Sequence, residues 1–107
     1  MDNKQEKLEL IKKSFELKNL KRYKDAIEVL YKALEYTSDI NNDNVELLSQ
    51  IGDLHILLNN YDRALDEFQR ALSLNKNHSH SIQKCYEIYS NTNQYNKALK
   101  IAQKARK

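Results

Sequence analysis

Proline is absent from this chain and glycine occurs once, at Gly52. Sheets with tight turns depend on those two residues, so their scarcity argues against a strand-rich fold and leaves helices joined by short polar breaks. A single glycine also excludes a glycine-rich phosphate loop. The one cysteine, Cys85, cannot close an internal disulfide, which agrees with a reducing compartment. No apolar run approaches the length of a membrane span, and the segment from Met1 to Glu6 lacks the apolar core of a secretion signal, so a cytoplasmic location is expected. Acidic residues run out early: Glu87 is the last, and Lys97, Lys100, Lys104, Arg106 and Lys107 follow it, although the formal charge of the whole is only +3.

What remains is rich in Lys, Glu, Leu and Ala, and 107 residues suit one domain. The stretch from Val45 to Lys76 organises it. Leu48, Ile51, Gly52, His55 and Leu58 recur at helical spacing, as do Tyr61, Ala64, Phe68, Ala71 and Leu72, with Asn59 and Asn60 between them. The same hairpin recurs on both sides, since Tyr61 and Ala64 correspond to Tyr23 and Ala26 and to Tyr95 and Ala98. Ala64 and Ala98 stand 34 residues apart and Ala26 and Ala64 stand 38, the excess falling in the polar stretch Thr37 to Asn44. Asp43 and Glu46 at its end read as the start of a helix. The spacing predicts an all-α fold of six antiparallel helices, as three hairpins that bury their apolar faces by stacking.

These residues resemble the tetratricopeptide repeat family over almost the whole chain, with repeats at about 7–38, 45–76 and 79–107. The second repeat matches best, through Leu48, Ile51, Gly52, Leu58, Tyr61, Ala64, Phe68, Ala71 and Leu72. Gly52 and Ala64 are small where two helices approach closely, and Phe68 fills the space between hairpins. In the third repeat Tyr86 takes the place of Gly52 and Ala102 that of Phe68. Tyr86 is therefore expected to fill the volume that Ala102 leaves.

The resemblance implies a right-handed superhelix whose first helices line a concave groove, where a protein or peptide binds. Carried over repeat by repeat, the groove side chains are Leu8, Ile11, Phe15, Lys18 and Asn19, then Glu46, Ser49, Asp53, Ile56 and Leu57, then His80, Gln83, Glu87, Ser90 and Asn91. Such a surface, apolar at one end and acidic in the middle, suits a peptide or helix with apolar anchors and a basic residue among them. Two plainer readings stand beside it: the apolar stripe packs on a neighbouring segment, and Asp53 and Glu87 are solvated charges. Members that grip the acidic C-terminal peptide of cytosolic chaperones use a clamp of Lys, Asn and Arg. The matching places here hold Ile11, Phe15, Gln50, His80 and Lys84, two of them apolar, which speaks against that clamp.

The family often covers its last hairpin with a further helix. Without one, Leu99, Ile101 and Ala102 would be partly exposed, which offers the alternative of a structural module that forms homo-oligomers through this end. Lys97, Lys100 and Lys104 share a helix face, as a phosphate-contacting strip would. Cations near a helix C-terminus relieve its dipole, which explains Lys104, Arg106 and Lys107 without a ligand, and dipole and solubility are preferred to nucleic acid. No arrangement suggests a reaction, a cofactor or a metal. His55 takes a core place, His78 and His80 lack grouped co-ligands, Cys85 replaces an apolar core residue, and Asp62 and Asp66 are neighbours on a charged face. The expectation is a non-catalytic scaffold.

Overall fold

The computed structural model describes residues 3–36 and 42–105, and among them the only regular structure is helix. Six helices follow one another: α1 (Asn3–Asn19), α2 (Tyr23–Glu35), α3 (Asn42–Leu57), α4 (Tyr61–Leu74), α5 (Ser79–Asn91) and α6 (Tyr95–Ala105). Each packs on the next, α1 on α2, α3 on α4 and α5 on α6 within hairpins, with α2 on α3 and α4 on α5 joining them. The result is the expected stack of three hairpins, 47 Å long and 15 Å thin. The expected break at Thr37 to Asn44 falls largely on residues 37–41, outside the described residues, as do Arg106 and Lys107. Because α3 begins at Asn42, Asp43 stands within its first turn and not ahead of it.

The three hairpin turns are built alike. Lys21, Asn59 and Asn93 each adopt a left-handed conformation, with φ of 63°, 62° and 62°. That bend lets the next amide reach back to the carbonyl five residues earlier: Arg22 to Leu17 at 2.8 Å, Asn60 to His55 at 2.8 Å and Gln94 to Tyr89 at 2.7 Å. Carbonyls that the end of a helix would leave orphaned are thereby satisfied without a glycine. The hydroxyls of Tyr61 and Tyr95 donate to the Asn59 and Asn93 side chains, so these repeating tyrosines close the turns from outside.

The core is distributed along the stack. Leu17, Ala26, Ile27, Leu30, Ala33, Leu47, Ile51 and Leu54 form one cluster across the first two hairpins, and Ala64, Phe68, Cys85, Ile88, Tyr89 and Ala98 form another across the last two. Gly52 and Phe68 meet as the pattern requires, since the ring is fully buried against the α3 backbone at Gly52. The expected exchange in the third repeat does not occur. Tyr86 is 46% exposed and contributes nothing to the core cluster, which Cys85, Ile88, Tyr89 and Ala98 complete. Turned outward, its hydroxyl stays hydrated, whereas burial would demand a partner.

Candidate functional site

Helix α1 is apolar on two sides and has helix neighbours for only part of its surface. Ser14 and Leu17 are buried, and Leu10 and part of Ile11 pack on the first cluster, which spends one face. The other face keeps Leu8 53% exposed and Phe15 49% exposed, with Ile11 half-buried between them. Two concavities run along this face where α1 meets α3. The larger, about 130 Å³, is lined by Leu8, Ile11, Leu47, Gln50, Glu46, Lys4 and Lys7. The smaller, about 30 Å³, holds Phe15, Lys18, Gln50, Asp53 and Leu54. The structure thus gathers Leu8, Ile11, Phe15, Lys18, Glu46 and Asp53 from the expected set and adds Lys4, Lys7, Leu47 and Gln50.

The middle of the groove differs from expectation. Ser49 is only 2% exposed, its hydroxyl donating to the Glu46 carbonyl at 2.8 Å, so it is a packing residue and not a contact. One turn to either side of it, Glu46 and Asp53 are engaged by the two histidines at the start of α5. His78 Nδ1 accepts from the Ser81 amide as the N-cap of α5, and its Nε2 donates to Glu46 Oε1 at 3.0 Å. An amide can only donate, so that capping bond places the imidazole proton on Nε2. His80 Nε2 lies 2.9 Å from both Asp53 oxygens and its ring meets Phe68 edge-on. Asp53 is therefore tied to His80, and the acidic centre of the groove is shared with two imidazoles.

Beyond that point the expected residues disperse. Ile56 packs against the second core cluster, Leu57, Gln83, Asn19 and Asn91 are exposed, and Ser90 is half-buried. Glu87 lies 3.5 Å from Lys84, one turn earlier on the same helix. At the far end Leu99 is exposed while Ile101 and Ala102 are half-buried. Lys97 stands over the Tyr89 ring, 5.9 Å from its centre, within cation–π range.

Two further titratable groups lie buried in the core. His55 is 6% exposed and neither ring nitrogen finds a partner; burial lowers its pKa, against an upward pull from Glu67. Burial pushes the Cys85 thiol up to about 11, which keeps it protonated and unreactive at neutral pH. Among the described residues no three His, Cys, Asp or Glu side chains converge as they would on a metal ion, and no helix is long and apolar enough to cross a membrane.

Two tetratricopeptide repeat profiles match the chain, at residues 10–40 and 45–78. The chain belongs to the tetratricopeptide repeat family. Among curated protein sequences none matches it. Solved structures of the same fold include the Hsp90 co-chaperone Cns1 from Saccharomyces cerevisiae, at a TM-score of 0.85 and 23% identity, covering all of this chain and 34% of that one. The second tetratricopeptide domain of Spaghetti (RPAP3), bound to the HSP90 peptide SRMEEVD, matches at 0.78 and 16% identity over 96% of this chain and 92% of that one. MamA matches at 0.75 and 16% identity over 86% and 52%. The chain spans about a third of the Cns1 chain and about half of the MamA chain. At these identities the likeness is one of fold.

Proposed function

We propose that this tetratricopeptide domain is a non-catalytic module that binds a peptide or short helix in the groove between α1 and α3. The observation that carries the reading is the row of Leu8, Ile11 and Phe15, left partly exposed beside concavities that contain both polar and apolar groups. Exposed apolar side chains next to a preformed hollow supply desolvation energy, and the surrounding polar groups set register.

The RPAP3 domain holds an acidic peptide, and the same fold invites the same ligand here. The side chains favour another kind. Ile11 and Phe15 stand where a carboxylate would need cations, His80 is engaged by Asp53, and Lys84 lies beside Glu87. An apolar-anchored segment fits these groups better than a free C-terminal carboxylate.

Titration calorimetry tests the choice. Random-library peptides selected on the wild type should carry paired apolar residues and lose affinity by about tenfold or more on Phe15→Asp, roughly the 1.4 kcal/mol of one buried anchor, while SRMEEVD binds no tighter than about 1 mM. Micromolar binding of SRMEEVD, or selected peptides indifferent to Phe15→Asp and Leu8→Asp, would reject the reading.

A further inference from the structure

The side of the stack formed by the second helices carries a difference between its two seams. By the repeat register Tyr31 of α2 corresponds to Gln69 of α4, and Glu67 of α4 corresponds to Ile101 of α6. At the first seam the Tyr31 hydroxyl donates to Glu67 Oε2, and Glu67 Oε1 accepts from Arg70 at 2.9 Å. Glu67 is 4% exposed, so a partly buried bridge joins α2 to α4. At the second seam Ile101 offers no acceptor, and the Gln69 amide turns away to donate to the Tyr89 hydroxyl at 2.6 Å. The pair that closes one seam leaves the other open.

The opening is a cleft of about 350 Å³ between α4 and α6, floored by Ile82 of α5. Leu72, Ile82 and Ile101 give it apolar walls beside the polar Gln69 and Ser73, and Lys76, two residues beyond α4, and Lys104, in the last turn of α6, stand at its rim. No carboxylate lines it. Its size accommodates bulky side chains, and its charge is of one sign.

We propose that this cleft docks a short acidic segment of another protein, a Leu, Ile or Phe entering against Ile82 and Ile101 while adjacent Asp or Glu side chains meet Lys76 and Lys104. The site lies apart from the α1/α3 groove and does not depend on it.

The test selects random dodecapeptides on the wild-type domain and measures each binder by fluorescence anisotropy against three variants. Ile101→Glu installs the residue found at Glu67, Lys76→Glu/Lys104→Glu changes two exposed side chains that the core does not need, and Phe15→Asp alters only the other groove; circular dichroism checks that each is folded. The expected result is a class of binders with Asp or Glu flanking an apolar residue, weakened about tenfold or more by the first two variants, unaffected by Phe15→Asp, and weakened further by salt. The proposal is overturned if no class is sensitive to both cleft variants, or if the sensitive peptides are basic or uncharged. It is equally overturned if sedimentation shows a dimer that Ile101→Glu dissolves, because the cleft then holds a second copy of this chain.

Discussion

The ring of Phe68 occupies the space that a side chain at Gly52 would need. A Cβ built on Gly52 would stand 2.7 Å from Phe68 Cζ and 2.8 Å from Cε1, closer than real carbon atoms approach. Alanine at this position gains about 1 kcal/mol of helix propensity, but overpacking a buried ring costs about 1–3 kcal/mol. The clash outweighs the gain, because the ring it meets is fully buried. Gly52→Ala should lower stability by up to about 2 kcal/mol in urea denaturation, and Phe68→Leu, which removes the offending ring atoms, should make the same change less costly. An unchanged midpoint for Gly52→Ala would show that the ring can yield.

His55 links stability to pH. Its pKa in the fold lies below the ordinary 6.5 because burial disfavours the charged form. As pH falls through about 6.5 the unfolded chain takes up a proton that the folded one resists, so the imidazole's contribution is whole above that value and is lost below it. The comparison is differential, so that only the His55 contribution is read. Urea midpoints at pH 7.5 and 5.5 should differ more for the wild type than for His55→Leu, which installs the residue that Leu17 provides in the first repeat. Equal differences would mean that the imidazole is reached by solvent.

Much of this was legible in the chain before any coordinates. The recurring Tyr and Ala positions gave the helices and turns to within a few residues, and the small-to-large pairing of Gly52 with Phe68 followed from the pattern alone. Periodicity reports which face of a helix is apolar. It does not report which polar group meets which across a junction, and so the His80 bond to Asp53, the His78 bond to Glu46 and the Tyr31 bridge to Glu67 were invisible. Tyr86 was misjudged for a related reason: volume matching treats a phenol as a hydrocarbon and omits the hydration of its hydroxyl.

The Tyr31 bridge is itself testable. Burial and the Glu67 carboxylate raise the Tyr31 hydroxyl to about 12. Its stabilisation is therefore fully present below pH 10, the ordinary phenol value, and fades as pH rises through 12. Tyr31→Phe leaves a buried carboxylate oxygen without its donor and should cost about 1–3 kcal/mol near pH 7 by urea denaturation, while Tyr31→Phe/Glu67→Gln should recover part of it. A neutral Tyr31→Phe would mean that water replaces the hydroxyl.

Lys21 is the costliest residue for its conformation among the three turns, because asparagine tolerates the left-handed region better than lysine does. It holds φ at 63° where the equivalent turns use asparagine. Relieving that conformation with glycine returns about 1–2 kcal/mol, less about 0.5–1 kcal/mol for the freedom glycine adds to the unfolded chain. Lys21→Gly and Lys21→Asn should each raise the thermal midpoint, and a fall in both would show that the lysine side chain carries a contact stronger than the strain.

Within the described residues the substantial helix contacts all join consecutive helices, α1 to α2 and onward to α6. No segment must therefore wait for a distant one, and each docking step closes only a short loop of chain. Such wiring favours rapid assembly from any hairpin. It also sets the order of loss: α1 and α6, each held by a single substantial partner, can peel away while α3 and α4 remain docked. The α1 wall of one groove and the α6 wall of the cleft are thus the two parts of the fold whose order a bound ligand would most increase.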